Sequence, residues 1–433
     1  MKRNWIIVCC LVVCPGRFVP GVAAEAWWDA FGNSGLSAAI EQGLADHPDP
    51  AGALARIKAA TSMVTTEQSE RRPMAMADVS YRWGREKTEM SGGTDEDVNP
   101  LMASARVSWE IDLFGRVGAS IDAAEAEVAM RVADAEAIRL LLSLEIAQSY
   151  FEIARMAEEL SWINRSLEDI YSLRDRASRR VEAGLDEPGA LRSAEADVRT
   201  MQHERMEFEA MQDMARAKLR SLLGGKNPPA FPEAIGVFTL PAIPDMTGTN
   251  LYLSRPDVVA AYQYWQAAEG AARSASLDRL PSLALVASAA GEGEGASDPE
   301  TWSAWAGPML TVPLWQPQRG SKARGAAAGA DAAEAMFASA SLRAMEEIDA
   351  ARASRERSEA MINHMSDREK FLAAEEESVA RKREAGLVQE ADWRMARMER
   401  AEAARRRAVW IAAGLTDHVN LVSALGGSTS QMK

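Results

Sequence analysis

The sequence has almost no cysteine, and none of it lies in the main body of the chain. All three cysteines fall within the first 14 of 433 residues. They belong to a leader in which Lys2-Arg3 precedes an apolar run and Val22-Ala23-Ala24 offers small residues for cleavage, so residues 1–24 are predicted to be a secretory signal peptide. Cleavage after Ala24 leaves a chain without thiols, which excludes disulfides from the mature protein.

The third cysteine, Cys14, admits a second interpretation. Leu11-Val12-Val13-Cys14 has the order of a lipobox, in which Cys14 becomes a lipidated N-terminus. Val13 is large for the position before such a cysteine. Plain cleavage is therefore favoured, and lipidation of Cys14 stays the alternative.

Proline is absent from two long stretches. None occurs between Pro100 and Pro188, and none follows Pro317. Because proline breaks helices, these are the stretches in which long helices are permitted. After the leader, no run reaches the ~18 apolar residues that a membrane-spanning helix needs, so no such helix is expected.

The chain has more acidic than basic residues, and histidine is scarce. The formal net charge of −14 argues against nucleic acid as a partner. The four histidines are scattered without ligand spacing, so neither a metal site nor a cofactor is expected. They are His47, His203, His364 and His418. No nucleophile–base pair stands out, and the sequence does not predict an enzyme.

The spacing of apolar residues changes once in the stretch from Leu101 to Glu182. Apolar and polar residues alternate from Leu101 to Leu113, which predicts a strand with one apolar and one polar face. From Arg116 onward, apolar residues recur every three or four positions, and this predicts a helix of about 100 Å that ends near Glu182. A strand of membrane-crossing length that leads into so long a helix does not fit an ordinary globular domain.

The order strand, strand, helix, helix occurs twice. Residues 73–113 and 281–315 each alternate as a pair of strands, and each pair precedes a long helical hairpin. Glu182-Ala183-Gly184-Leu185 matches Glu384-Ala385-Gly386-Leu387 at a shift of 202 residues. Other helical positions keep the same shift, which indicates an internal duplication.

Four strands with an apolar face cannot close a membrane barrel, because such barrels begin at about eight strands. Open edges in lipid leave backbone groups unpaired at several kcal/mol each, so the edges must pair with other copies. Three copies supply twelve strands. The predicted fold is therefore an α+β membrane protein, a homotrimeric twelve-stranded β-barrel continuous with a long α-helical coiled-coil barrel. The tryptophans expected at the lipid interfaces are Trp83, Trp109, Trp302 and Trp305.

Several motifs together resemble one known family. Trp27-Trp28-Asp29-Ala30-Phe31-Gly32 resembles its N-terminal motif, and Trp109-Glu110-Ile111-Asp112-Leu113-Phe114-Gly115-Arg116 is similar to its first strand-to-helix junction. Arg255-Pro256-Asp257-Val258 resembles its second-half marker, and Leu280-Pro281-Ser282-Leu283 and Val312-Pro313-Leu314-Trp315 resemble its second strand pair. The family is the TolC family of outer membrane factors, in its RND-type efflux branch, and the resemblance covers nearly the whole mature chain.

The resemblance implies a trimeric exit duct in the outer membrane of a Gram-negative bacterium, extending into the periplasm. Such a duct passively conducts drugs, small toxic compounds or ions. The implied partners are a periplasmic adaptor, an inner-membrane pump of the RND or another type, and outer membrane lipid. In the family, the Gly-Leu turns at the hairpin tips meet the adaptor, a role that maps onto Gly184, Leu185, Gly386 and Leu387. An acidic ring at the closed periplasmic end maps onto Asp392, whereas the next acidic position is Met395 here.

These patterns divide the chain into eight segments. In order they are a signal peptide (1–24), an N-terminal periplasmic helical segment (25–72), a barrel hairpin (73–113), a long helical hairpin (114–226), a linker with an equatorial helix (227–280), a second barrel hairpin (281–315), a second helical hairpin (316–425) and a C-terminal tail (426–433).

Alternative interpretations stay open at several points. The chain as a whole has two, a secreted coiled-coil scaffold and a periplasmic adaptor, although an adaptor carries one helical hairpin and this chain two. Gly184 and Gly386 are also explained as plain helix C-caps, and Asp392 as a solvated helix residue. Four methionines are expected to face the lumen, as soft filler or as a path for a soft metal. They are Met74, Met76, Met102 and Met309.

Overall fold

The computed structural model describes residues 26–87, 95–98, 101–243, 251–293 and 301–427. The predicted signal peptide and Cys14 lie outside the described residues. The helices are α1 (Ser34–Asp46), α2 (Pro48–Ser69), α3 (Arg116–Glu182), α4 (Pro188–Leu222), α5 (Pro256–Leu277), α6 (Pro317–Glu384) and α7 (Glu390–Ala424). The strands are β1 (Met74–Tyr81), β2 (Gly84–Lys87), β3 (Asp95–Val98), β4 (Leu101–Ile111), β5 (Ser282–Gly293) and β6 (Thr301–Thr311).

The four long strands form one antiparallel sheet in the order β1-β4-β5-β6. The sheet joins the two repeats, because β4 of the first pairs with β5 of the second over eleven residues, from Leu101 opposite Gly293 to Ile111 opposite Leu283. Strands β2 and β3 form a separate two-stranded ribbon. Within the described residues, β1 and β6 each pair on one side only, so both edges of the sheet are open.

The switch from strand to helix at 112–118 has a local cause. Gly115 adopts the left-handed conformation, with φ of 80°, which turns the chain without steric strain. The carboxylate of Asp112 then accepts hydrogen bonds from the backbone N–H groups of Val117 (3.2 Å) and Gly118 (2.8 Å). These are donors that a helix start leaves unpaired. The predicted junction is confirmed, and α3, at 67 residues, is about 100 Å long.

The helices confirm the internal duplication. Helix α4 runs from 188 to 222 and α7 from 390 to 424, so both ends are displaced by 202 residues. The glycine pairs that follow these helices, at 224–225 and 426–427, obey the same shift and all have positive φ. Since both hairpins end in the same way, the repeat is structural as well as sequential.

A small aromatic core lies midway along the helices. The 3-10 turn Trp27–Phe31 inserts Phe31, which is fully buried, between α3 and α7. The Phe31 ring lies 5.1 Å from that of Phe151 and 5.6 Å from that of His418. Phe151 in turn meets Phe238 of the linker at 5.0 Å. The N-terminal motif therefore anchors the entry segment to both hairpins at once.

The motif that begins at Arg255 has a similar structural purpose. The guanidinium of Arg255 binds both carboxylate oxygens of Asp257, at 3.0 and 2.8 Å, and donates to Glu347 of α6 at 2.6 Å. It also donates to the backbone oxygen of Ala424, at the end of α7. The start of α5 is thereby fixed against both helices of the second repeat.

None of the described helices is long and apolar enough to span a membrane.

Candidate functional site

The register of the sheet sorts its side chains onto two faces of different chemistry. Residues directly opposite one another share a face. One face holds Val79, Ala103 and Trp302 at one level, and Ile111, Leu283 and Leu310 at another. The opposite face carries polar and charged residues among smaller ones. They include Asp78, Ser80, Ser104, Arg106, Ser108, Glu110, Ser288, Glu292 and Ser303. One apolar and one polar face is the pattern of a membrane barrel wall, lipid outside and water inside.

The four methionines lie on the polar face, as predicted. Met74 and Met76 stand opposite Ser108 and Arg106, Met102 stands opposite Glu292, and Met309 stands opposite Ala284. They occupy several levels of the sheet and do not form a compact cluster.

The tryptophans divide between the two faces. Trp302 and Trp109 lie on the apolar face, Trp302 opposite Gly291 and Trp109 opposite Leu285, itself opposite Pro308. Six residues separate the two levels, which is roughly 20 Å along a strand and close to the height of a barrel's lipid-facing band. The indole N–H of Trp109 donates to the backbone oxygen of Arg71 at 2.8 Å, and Trp83, just after β1, is 85% exposed.

Trp305 differs from the prediction. It lies opposite Ser288, which lies opposite Arg106, and all three are on the polar face. The two tryptophans of β6 are three residues apart, an odd number, so alternation sends them to opposite sides. A lipid-interface position for Trp305 is therefore wrong, although tryptophan is a residue type that such interfaces favour.

The tips of both helical hairpins have the same backbone geometry. Gly184 and Gly386 have φ of 69° and 70°. At the first tip, the N–H of Leu185 bonds to the oxygen of Arg180 and that of Gly184 to the oxygen of Val181. The second tip repeats both bonds 202 residues later. This is the Schellman motif, which requires left-handed φ at the glycine. The C-cap interpretation is confirmed, and it is compatible with an adaptor contact.

The tip side chains are open to solvent. Leu185 is 66% exposed and Leu387 is 75% exposed. A side chain added at Gly184 or Gly386 would have no atom within 4 Å. Exposed leucines on two matching turns form a surface that the chain does not cover itself.

Asp392 has a structural role that the sequence did not predict. Its carboxylate accepts a hydrogen bond from the backbone N–H of Gln389 at 2.8 Å, and the side chain of Gln389 caps Asp392 in return. This reciprocal pair is a capping box at the start of α7. Asp392 therefore stabilises the start of α7. Its role in the periplasmic gate stays a prediction.

A buried ion-pair cluster lies near the tips, between the two hairpins. Asp169 of α3 is almost fully buried. It accepts a hydrogen bond from Arg394 at 2.7 Å and forms an ion pair with Arg397 at 3.1 Å, both on α7. Burial raises the pKa of the Asp169 carboxyl, and the two arginines oppose that rise. Trp393 lies beneath Arg383, whose Cζ is 4.1 Å from the ring centre. Sequence reasoning missed this cluster, because its only signal is the Trp393-Arg394 pair with Arg397 one turn later.

The basic run Arg405-Arg406-Arg407 is paired throughout. Arg405 reaches Glu204 of α4, Arg406 reaches Glu402, and Arg407 reaches Glu369 of α6 at 2.5 Å. These contacts join the second hairpin to the first and α7 to α6. Arg405, whose side chain is 16% exposed, and Arg407 therefore hold helices together, whereas Arg406 pairs within α7 and stays more than half exposed.

Comparisons with known proteins agree with this geometry. Residues 39–225 match the family model described as outer membrane efflux protein. The fusaric acid resistance protein FusA of Burkholderia cepacia is 25% identical over 309 residues, covering 68% of this chain and 58% of FusA. The chain thus spans somewhat more than half the length of that curated relative.

Two solved structures share the fold. CusC is 18% identical with a TM-score of 0.82, covering 94% of this chain and 96% of its own. VceC of Vibrio cholerae is 21% identical with a TM-score of 0.80, covering 93% of this chain and 98% of its own. The chain is thus similar to the outer membrane efflux protein family over residues 39–225, and it shares the fold of CusC and VceC over more than nine-tenths of its length.

Proposed function

We propose that three copies of the chain close a twelve-stranded barrel that serves as a passive exit duct across the outer membrane. One observation carries this proposal: a sheet with an apolar and a polar face has both edges, β1 and β6, open in the single chain. An open edge in lipid is expensive, and pairing β6 of one copy with β1 of the next removes every edge. Three copies with four long strands each give twelve.

The long helices supply the periplasmic part of the duct. Helices α3 and α6, of 67 and 68 residues, leave the sheet at the same end and extend for about 100 Å. In the trimer they form a tube in line with the barrel. No group among the described residues supplies energy in this arrangement, so transport is driven by a pump in the inner membrane, of the RND or another type, reached through a periplasmic adaptor.

The adaptor docks on the two hairpin tips. The exposed side chains of Leu185 and Leu387 support this role, because each presents apolar surface on a rigid turn. The two tips have matching backbones, so each copy offers two similar sites and a trimer six. The tube closes near these tips, where Asp392 contributes negative charge to the bore.

The cargo is small organic compounds that harm the cell. The name of the relative FusA, a fusaric acid resistance protein, supports this class. Passage through the duct is selected mainly by the pump, and the duct adds to that selection only through groups that line its bore.

Disulfide trapping tests the trimer directly, since the predicted mature chain has no free thiol. Ala77→Cys in β1 is combined with Ala304→Cys or Ala306→Cys in β6, and the protein is oxidised in its native outer membrane. We expect covalent trimers on denaturing gels, and none from any single variant. A chain recovered as a water-soluble monomer would support the secreted scaffold and contradict the duct.

Export is tested in a Gram-negative strain that lacks its own outer membrane efflux ducts. The chain is co-expressed with the adaptor and pump that co-purify with it, and growth is measured against a panel of toxic aromatic acids and dyes. Restored growth supports the duct. Correct trimers without any restored resistance, for all co-purifying pumps, would contradict it.

A further inference from the structure

The polar face of the sheet carries one large aromatic side chain, Trp305, at the middle of β6. Residues at its level are Ser288 on β5, Arg106 on β4 and Met76 on β1. Trp305 is 52% exposed, and none of the ring contacts among the described residues includes it. On a wall that otherwise presents methionines and small or polar residues to the bore, an exposed indole without ring contacts lacks a packing explanation.

Arg106 is the charged residue of the same level. It is exposed, and none of the ion pairs formed by the described residues includes it. Arg116, by contrast, is held by Glu110 at 3.1 Å and by Glu70 at 3.2 Å. The guanidinium of Arg106 therefore keeps its hydrogen-bond donors free for a solute.

The two side chains are close enough to act on one solute. They stand on strands two apart in the sheet, which is about 9.6 Å at the backbone. In a closed barrel both point inward, and inward-pointing side chains converge. A barrel of twelve tilted strands has a backbone diameter on the order of 24 Å, so three tryptophans and three arginines at one level narrow it substantially.

We propose that Trp305 and Arg106 form a recognition belt in the bore for planar aromatic anions. The indole stacks on the ring of the solute, and the guanidinium pairs with its carboxylate or sulfonate. Several weak sites around the circumference of the barrel hold a solute briefly and then release it, which a conduit requires. This inference rests on the proposed trimeric duct, because only the closed barrel gathers three copies of each residue.

Single-channel recording in planar lipid bilayers tests the belt. The probe is naphthalene-2-sulfonate, added on the extracellular side, and the measured quantity is the residence time of reversible current blocks. Cyclohexanesulfonate provides the charge without the aromatic ring, and 2-naphthol provides the ring without the charge at neutral pH. In the wild-type channel we expect the longest blocks from naphthalene-2-sulfonate.

The variants separate the two contributions. Trp305→Ala should shorten the naphthalene-2-sulfonate blocks about fivefold or more, the typical effect of losing one aromatic stacking partner, and leave cyclohexanesulfonate unchanged. Arg106→Gln should shorten the blocks of both sulfonates and leave 2-naphthol unchanged. The controls are Trp315→Ala, beyond the end of β6, and Arg56→Gln on α2, which should behave as wild type.

The outcomes distinguish this inference from the duct itself. Unchanged block times in both belt variants, in channels that conduct normally, would overturn the belt and leave the duct intact. Equal shortening in the control variants would also overturn it. A wild-type protein that inserts no trimer into the lipid bilayer would overturn the duct and the belt together.

Discussion

The Asp169 carboxylate and the Arg394 guanidinium, 225 residues apart in sequence, meet at 2.7 Å between Oδ1 and Nη1. Asp169 belongs to the first helical hairpin and Arg394 to the second, so this pair holds the two repeats together. Arg397 occupies the other oxygen of the same carboxylate. The contact lies near the hairpin tips, where the tube is proposed to close and where a change of spacing between the hairpins would open it.

Removing the charge of Asp169 should loosen the seam between the hairpins. Asp169→Asn leaves two arginines facing a neutral, buried amide, and breaking a buried pair in this way costs about 3 kcal/mol or more. We expect a lower thermal midpoint of the trimer and greater sensitivity of cells to large antibiotics. Asp175→Asn, an exposed carboxylate on the same helix that pairs with neighbouring Arg174, should change either quantity little. Equal effects of the two variants would contradict the claim that Asp169, through its arginine partners, holds the two hairpins together.

His418 should make the fold sensitive to acid. It is buried against Phe31, and both of its ring nitrogens lack a hydrogen-bond partner among the described residues. Burial, with a smaller contribution from the charge of Arg355, lowers the pKa of His418 to about 4. An unfolded histidine binds its proton near pH 6.5, so between these values the unfolded state holds more protons than the folded state.

The free energy of unfolding should therefore keep its full value above about pH 6.5. It should fall by on the order of 3 kcal/mol as the pH drops to about 4. His418→Leu should flatten this dependence, measured as the thermal midpoint of the trimer at pH 4.5, 5.5 and 7. His203→Gln, on an exposed side chain, should keep the wild-type slope. The same slope in the His418→Leu protein would assign the acid sensitivity elsewhere.

The glycines of the hairpin tips should matter more for adaptor docking than for folding. At Gly184 and Gly386 a bulky residue meets no neighbouring atom but is forced into left-handed φ, which costs about 1–2 kcal/mol. Gly184→Leu and Gly386→Leu should still form trimers and should abolish efflux. Gly225→Leu is a matched control, because Gly225 has φ of 84° and open space but follows the other end of α4.

Efflux in the Gly225→Leu strain should therefore match wild type, while pull-down of the adaptor should fail only for the two tip variants. Leu185→Ser and Leu387→Ser should weaken the same pull-down without backbone strain. Normal drug resistance in both tip glycine variants would remove the adaptor role from these turns.

Asp392 can be tested for its two roles separately. Asp392→Asn removes the charge but keeps an oxygen that accepts from the N–H of Gln389, whereas Asp392→Ala removes both. Loss of a helix cap costs about 1 kcal/mol, so only the alanine variant should lower the thermal midpoint. A gate role predicts that both variants change the cation dependence of single-channel conductance. Conductance altered in neither variant would leave Asp392 as a cap alone.

Much of the architecture could be predicted from local pattern. The change of period at Phe114-Gly115-Arg116, the proline-free stretches and the shift of 202 residues are properties of the chain itself. The structure confirms the four long strands, the long helices and the repeat that they predict, and it adds the short ribbon of β2 and β3, which was not predicted. The left-handed turns at Gly184 and Gly386 were predictable for the same reason, because a Schellman motif is formed by six consecutive residues.

The site was less predictable, because its groups depend on register and on contacts between distant segments. Composition gave Trp302 and Trp305 the same role. Their odd spacing puts them on opposite faces of a strand, and only the pairing of β6 with β5 shows which face each one takes. Asp392 looked like a free acid, yet its carboxylate is used within its own helix.

The amino-acid sequence alone determined where this chain forms strand and helix and that it does so twice, because hydrophobic period, proline and glycine act over a few residues. The tertiary structure decided which side of the wall each tryptophan faces, that Asp169 is buried between Arg394 and Arg397, and that both sheet edges stay open in the single chain. Those features depend on which distant segments come together, and the pairing of β4 with β5 across the two repeats sets that geometry.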